Sequence, residues 1–205
     1  MIDKLTLNIV PTPIGNLEDI TFRSVKTLKN SDYILCEDTR VSKKLLLKYD
    51  IEVPLVSFHS FNEHKTVNKH INQILSGKKI SLISDAGTPS ISDPGFLIVR
   101  ESIKKGIEIN CLPGPTALVP ALVNSGLSSE RFVFEGFIPS KKGRVKRLKN
   151  FKEETRSIIL YESPKRLIKL LKELQEVIGE DLSLIHISEP TRPRLMSYAV
   201  FCLKK

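Results

Sequence analysis

Over its first 115 residues the chain alternates short, evenly apolar runs with amphipathic stretches, and few architectures tolerate that rhythm. The runs cover residues 5–10, 33–36, 55–58, 80–84 and 107–112; between them lie helix-like stretches at 22–29, 41–49, 65–75 and 96–105. A strand with one wet face alternates apolar and polar residues, whereas these runs are apolar at successive positions, as strands covered on both faces are. The pattern therefore predicts β-α-β units and a parallel sheet between two helical layers. Helix signals agree: Val67, Ile71, Ile74 and Leu75 form one stripe, and Gly77 follows as a stop.

After Pro113-Gly114-Pro115 the chain enters a helix rich in Ala, Leu and Val. A strand at 132–137, a basic helix, a strand at 158–161 and a helix after Pro164 come next. Leu167, Leu170, Leu171, Leu174 and Ile178 stripe that last helix, and Gly179 ends it. The expected fold class is α/β, with a parallel-sheet N-terminal domain at 1–115 and a second, incomplete α/β domain at 116–181, the boundary resting on the Pro-Gly-Pro turn.

In a parallel sheet every strand-to-helix loop emerges at the same edge, where ligands bind. Those loops are Pro11-Thr12-Pro13-Ile14-Gly15-Asn16, Glu37-Asp38-Thr39-Arg40, His59-Ser60-Phe61-Asn62-Glu63, Asp85-Ala86-Gly87-Thr88-Pro89 and Pro113-Gly114-Pro115-Thr116-Ala117. The opposite edge has plain connections such as Lys29-Asn30-Ser31 and Gly77-Lys78-Lys79. Gly and Pro taken singly are turn punctuation. Their concentration on one rim points to a pocket in which backbone approaches ligand closely and stiff loops lose little entropy on binding.

Several chemistries are disfavoured. No G-x-G-x-x-G follows the first strand and no G-x-x-x-x-G-K-[ST] occurs, so dinucleotide and P-loop fingerprints are absent. His59 lies near Ser57 and Ser60 without a G-x-S-x-G elbow, which argues against a hydrolase. Cys36, Cys111 and Cys202 are far apart with no C-x-x-C, so neither zinc site nor disulfide framework is expected; Cys36 and Cys111 read as small buried hydrophobes. No metal is expected. The N-terminus lacks signal-peptide order and no long apolar run occurs, so a soluble, cytoplasmic protein without membrane contact is expected.

Charge points to a polyanionic partner. Lys and Arg number 32 against 23 Asp and Glu, a net +9. The stretch 141–149 holds six cations and no acid, and either clamps RNA phosphates or forms a solvated helix face.

At its rim loops the sequence resembles the small-subunit ribosomal RNA methyltransferase I family, tetrapyrrole-methylase-type enzymes that methylate a cytidine ribose 2'-hydroxyl of 16S rRNA. The resemblance rests on Val10-Pro-Thr-Pro-Ile-Gly-Asn-Leu-Glu-Asp-Ile-Thr21, Glu37-Asp-Thr-Arg40, His59 with Asn62-Glu63, Ser84-Asp-Ala-Gly-Thr-Pro89, Ser92-Asp-Pro-Gly95, Pro113-Gly-Pro115, Arg131-Phe132, Glu135-Gly-Phe137 and Tyr161-Glu-Ser163. It extends from about residue 5 to 181. It implies a cytoplasmic homodimer acting on 16S rRNA or the small ribosomal subunit, with S-adenosyl-L-methionine in a cleft between two α/β domains. By position, Pro11, Thr12, Pro13, Gly15, Asn16, Ser84, Asp85, Ala86, Gly87, Thr88, Pro89, Ser92, Asp93, Pro113, Gly114, Pro115, Thr116 and Ala117 would hold the cofactor. Asp85 would face its positive charge, or else cap a turn. Glu37, Asp38, His59 and Glu63 are the candidates for a base or for orienting the ribose, and an ion pair of Glu37 or Asp38 with Arg40 is the structural alternative. Arg40, Lys141, Lys142, Arg144, Lys146 and Arg147 would contact RNA. A tetrapyrrole or other small-acceptor methylase of the same fold, and a noncatalytic RNA-binding or assembly module, remain as alternatives.

Past Asp181 the family pattern stops. Leu182-Ser-Leu-Ile-His-Ile-Ser-Glu-Pro-Thr-Arg192, and then Ser197-Tyr-Ala-Val-Phe-Cys-Leu203 with Lys204-Lys205, resemble translated sequencing adapter and primer, so 182–205 is expected to be non-native. Four cations and one anion lie there, leaving residues 1–181 at +6. Such a tail would leave 158–161 without its pairing strands and the chain poorly soluble and inactive.

Overall fold

The computed structural model describes residues 5–179, 183–188 and 199–204, and the chain divides into two units, Met1–Thr116 and Ala117–Lys205. In the first unit the five apolar runs become β1 (Thr6–Ile9), β2 (Tyr33–Cys36), β3 (Leu55–Ser57), β4 (Ile80–Leu82) and β5 (Glu108–Cys111), joined by α1 (Phe22–Lys29), α2 (Thr39–Lys48), α3 (Glu63–Leu75) and α4 (Phe96–Lys104). All four strand pairings are parallel, in the order β3-β2-β4-β1-β5, with Leu7 beside Ile80 and Ile34 beside Ser81.

The even apolar character of the runs has a direct cause. Tyr33 and Leu35 of β2 pack with Val67, Ile71 and Ile74 of α3 and Ile98 of α4, while the alternate residues Ile34 and Cys36 pack with Leu28 of α1 and Leu45 and Leu46 of α2. Each fully buried Leu or Ile contributes about 1.5–3 kcal/mol relative to exposure. Side-chain caps fix the helix starts: Thr21 Oγ1 accepts from Ser24 N–H at 3.0 Å, and Asp38 Oδ1 from Arg40 N–H at 2.8 Å, each worth about 1 kcal/mol. Cys36 is buried as expected, but Cys111 is exposed, because β5 closes the sheet as an edge strand.

Topology sets the site. The steps from β1 to β2 and β2 to β3 run one way with α1 and α2 on one face; β3 to β4 and β4 to β5 run back with α3 and α4 on the other. The loops after β1 and β4, adjacent strands, therefore leave toward opposite faces, which opens a crevice at their carboxyl ends.

The second unit contains α5 (Leu118–Ser125), β6 (Phe132–Phe137), α6 (Arg144–Asn150), β7 (Ser157–Glu162), α7 (Pro164–Ile178), β8 (Ser183–Ser188) and β9 (Ala199–Lys204), its sheet ordered β6-β7-β9-β8. Pro164 opens α7 and Gly179, at φ 102°, closes it. Ile158 and Leu160 pack with Leu148, Leu170 and Leu174; Ile159 and Tyr161 pack with Ala121 and Leu122. The expectation of an unpaired edge beside β7 is corrected. β9 pairs with it antiparallel, Ile158 against Leu203 and Tyr161 against Val200, and Cys202 and Leu203 are buried. Of the tail expected to be non-native, residues 182, 189–198 and 205 lie outside the described residues.

Candidate active site at the carboxyl rim of the first sheet

The loops after β1 and β4 are stitched together at the crevice. Thr12 and Gly87 exchange two backbone hydrogen bonds of 2.9 Å. The buried Thr12 hydroxyl donates to the Ser84 carbonyl at 3.0 Å, and Ser84 Oγ to the Gly87 carbonyl at 3.1 Å. The loop after β5 joins them through Thr88 Oγ1, which donates to the Pro115 carbonyl at 3.1 Å. Pro11 and Pro13 are buried beneath this seam, whereas Gly15 and Asn16 are exposed, Asn16 capping a short 3-10 turn at Leu17–Asp19. Pro113 and Gly114 are exposed beyond β5, Pro115 and Thr116 partly buried, and Ala117 opens the second unit.

Backbone crowding concentrates here. A Cβ on Gly114 would lie 2.7 Å from Pro11 Cβ, so the loops after β1 and β5 approach as closely as only glycine allows. In the loop after β4, Ser90 and Ser92 adopt φ of 71° and 62°, costly for residues with a side chain, and the Ser90 hydroxyl is buried without a hydrogen-bond partner. Strain and an unsatisfied polar atom in one loop are what a ligand-shaped segment retains.

Electrostatically the rim is a cluster of carboxylates. Glu37, after β2, is shifted upward by burial and then by Asp85, with His59 opposing. Asp85, after β4, is shifted upward by burial, although it accepts the Asp38 backbone N–H at 3.1 Å. Asp93 is raised to about 7 by burial and by the charges of Glu37 and Asp85, with Ser84 hydrogen-bonded to it in partial compensation. Three acids from two neighbouring loops thus resist simultaneous ionisation, and a cation among them would relieve the repulsion.

Among the catalytic candidates, Asp38 is engaged elsewhere. Its carboxylate takes Arg40 Nε at 3.0 Å and Nη2 at 2.6 Å besides capping α2, and these bonds hold it at about 2. Arg40 is exposed on the outer side of that pair. His59 is held by its own loop, its Nδ1 accepting the Phe61 N–H at 3.2 Å, while Asn62 Oδ1 accepts the His59 N–H at 2.8 Å. Glu63 starts α3 with Oε2 buried and unpartnered. Two surface grooves near this unit, of about 450 Å3 against α2 and β3 and about 570 Å3 beside α1, do not include Thr12 or Asp85.

The basic stretch divides. Lys141, Lys142, Lys146 and Arg147 are exposed, Arg147 pairing with Glu135 at 2.6 Å. Arg144, expected to contact RNA, is instead buried. It holds Glu173 at 2.5 Å and the Pro139 carbonyl at 3.1 Å, with the fully buried Glu162 at 3.9 Å, so its charge is spent inside the unit. Among the described residues no helix is long and apolar enough to cross a membrane, and no three His, Cys, Asp or Glu converge as metal ligands.

Two rim residues escape sequence reasoning. Ser90 carries its signal weakly, in the crowded Pro-Ser-Ile-Ser-Asp-Pro stretch of 89–94; Phe61, 91 % exposed, reads in sequence as any loop aromatic.

The model of the tetrapyrrole (corrin/porphyrin) methylases matches residues 6–194. A protein of Thermotoga maritima named ribosomal RNA small subunit methyltransferase I is 48 % identical over 174 residues, covering 85 % of this chain and 78 % of that protein. Its namesakes in Haemophilus influenzae and Bacillus subtilis are 46 % and 47 % identical, covering 91 % and 87 % of this chain but only 66 % and 61 % of their own lengths. Among solved structures, diphthine synthase superposes with a TM-score of 0.74 at 14 % identity, covering 98 % of this chain and 90 % of its own. A cobalt-precorrin-4 methyltransferase gives 0.70 at 16 %, covering 98 % and 95 %; at such identities the likeness is one of fold.

Proposed function

Because this chain belongs to the tetrapyrrole (corrin/porphyrin) methylase family, we propose that it is a methyltransferase whose first-sheet rim binds S-adenosyl-L-methionine and whose acceptor is a cytidine ribose 2'-hydroxyl of 16S rRNA in the small ribosomal subunit. Support for the acceptor comes from relatives 46–48 % identical that are named for small-subunit rRNA. The observation that carries the reading is the acidic, strained rim at the switch point between β1 and β4. Its residues suit the cofactor: Asp85 and Asp93 offer negative charge to a sulfonium and an ammonium, and Gly87 and Gly114 let backbone come close. When bound, the cofactor supplies an electrophilic methyl group.

The protein's own task is then to position a hydroxyl and accept its proton. Glu37 is the base on this reading, since a carboxylate pushed upward by burial is a stronger base than Asp38, which Arg40 and the α2 N-terminus hold low. His59 and Glu63 shape the loop beside it. Arg40, Lys141, Lys142, Lys146 and Arg147 bind phosphate as exposed cations. The same reading includes a cytoplasmic homodimer, domains at 1–115 and 116–181, and a foreign origin for 182–205, which sequencing the genomic locus tests.

The acceptor is tested by mass spectrometry of small-subunit rRNA from cells with and without the full-length gene. Loss of one cytidine ribose methyl on deletion is expected; an unchanged methylation map would reject it in favour of a small-molecule acceptor or a noncatalytic role.

A further inference from the structure

We propose that Phe61 is a stacking platform for an unpaired nucleobase of the RNA acceptor, a proposal that rests on the RNA reading above. Of the four phenylalanines in the first unit, Phe58 is buried at 1 % exposure, while Phe22, Phe61 and Phe96 are 98 %, 91 % and 66 % exposed. Phe22 and Phe96 each begin a helix that leaves the rim, and Phe61 lies just ahead of α3. They are not equivalent. Phe96 has Arg100 5.6 Å above its ring, and Phe22 belongs to the helical layer covering the other face of the sheet.

Phe61 alone sits in a turn built to hold an aromatic outward. Its N–H donates to His59 Nδ1 at 3.2 Å, and the His59 ring meets its ring edge-on at 5.9 Å. Asn62 braces both sides, accepting the His59 N–H at 2.8 Å and donating to the Ser57 carbonyl at 3.0 Å. The ring is therefore presented at little ordering cost. Its loop follows β3, which pairs with β2, and the loop after β2 carries Glu37 and the exposed Arg40. An aromatic face, a cation and a carboxylate on adjacent loops match base, phosphate and ribose hydroxyl of one nucleotide. Proteins that recognise single-stranded RNA use this combination, stacking splayed bases on aromatic side chains.

The chain has no tryptophan and four tyrosines, so Phe61→Trp creates a sole tryptophan whose emission can be excited selectively. Titration with oligocytidylate should quench its emission saturably, whereas Phe22→Trp, on the other layer, should not respond. In methyl transfer to small-subunit rRNA, Phe61→Ala should raise KM about tenfold with kcat and S-adenosyl-L-methionine affinity little changed, and Phe61→Trp should restore KM. An emission indifferent to saturating RNA, an unchanged KM in Phe61→Ala, or equal losses in Phe61→Ala and Phe22→Ala would overturn the proposal. So would a spectrum that shifts with protein concentration and not with RNA, which would mark a protein interface instead. Failure of the wild-type full-length protein to methylate rRNA while Phe61→Trp is still quenched would sink the acceptor reading and leave the platform standing; active full-length wild type with indifferent Phe61 variants does the reverse.

Discussion

The two sheets of this protein are built on different plans. The first is all-parallel, its five strands delivered in sequence by β-α-β crossovers, and every functional candidate loop emerges from one edge. The second is mixed, β6 and β7 parallel, β9 and β8 added antiparallel from the end of the chain. A parallel sheet gathers loops by construction, whereas a mixed sheet sends them to both ends. The difference teaches that the first unit gathers its loops on one rim, the place we propose for ligand chemistry, and that charge in the second unit is partly consumed by its own architecture.

The largest effect should come from breaking that internal use of charge. Arg144→Ala removes a buried guanidinium from Glu173 and from the fully buried Glu162, leaving Glu162 with Arg166 at 2.6 Å and Glu173 with Lys169 at 3.9 Å, and removing one member of a buried ion pair costs about 3–5 kcal/mol. Chemical denaturation should show the loss while hydrogen exchange in β1, β2 and β4 is unchanged. Equal loss of protection in both sheets would erase the distinction between the units. Next, Gly114→Ala should cost about 1–3 kcal/mol, since its Cβ meets a rigid proline ring rather than a flexible side chain, and should weaken S-adenosyl-L-methionine binding. Gly126→Ala in the second unit has open space around its Cβ and strain only from its φ of 65°, so binding there should not change.

These contrasts mark where sequence was readable. Strands β1 to β5 and their helices were legible because evenly apolar runs and 3.6-residue stripes are local signals, and the common rim follows from parallel pairing. The fate of Arg144 was not. Six cations without an acid read as an outward face, and the acids that bury Arg144 come from β7 and α7. Cys111 failed for a similar reason: a run's hydrophobicity does not reveal which strand ends at the edge. Asp93, Glu37 and Asp85 could each be suspected, but their mutual repulsion exists only once the loops after β2 and β4 meet. Pairing of β9 with β7 likewise depended on a segment outside the family pattern.

A smaller effect distinguishes the rim by pH. Asp93 has a pKa raised from 3.8 to about 7, so the fold favours its neutral form. Its contribution to stability is complete below about pH 4 and lost as pH rises through 7. The melting temperature of the ligand-free chain should fall over that window, and Asp93→Asn should flatten the slope. A cationic ligand favours the ionised acid, so S-adenosyl-L-methionine affinity should rise from pH 6 to 8 with proton release, seen as a buffer-dependent heat. A pH-independent affinity would mean that Asp93 does not sense the ligand.

The most direct test is calorimetric titration of S-adenosyl-L-methionine into the wild-type chain, Asp85→Asn and Lys142→Ala at pH 8. Saturable one-site binding by wild type, at least about tenfold weaker in Asp85→Asn and unaltered in Lys142→Ala, is the predicted result. Absence of binding by folded wild type, or equal affinity with and without the Asp85 carboxylate, would contradict the assignment of the rim to the methyl donor.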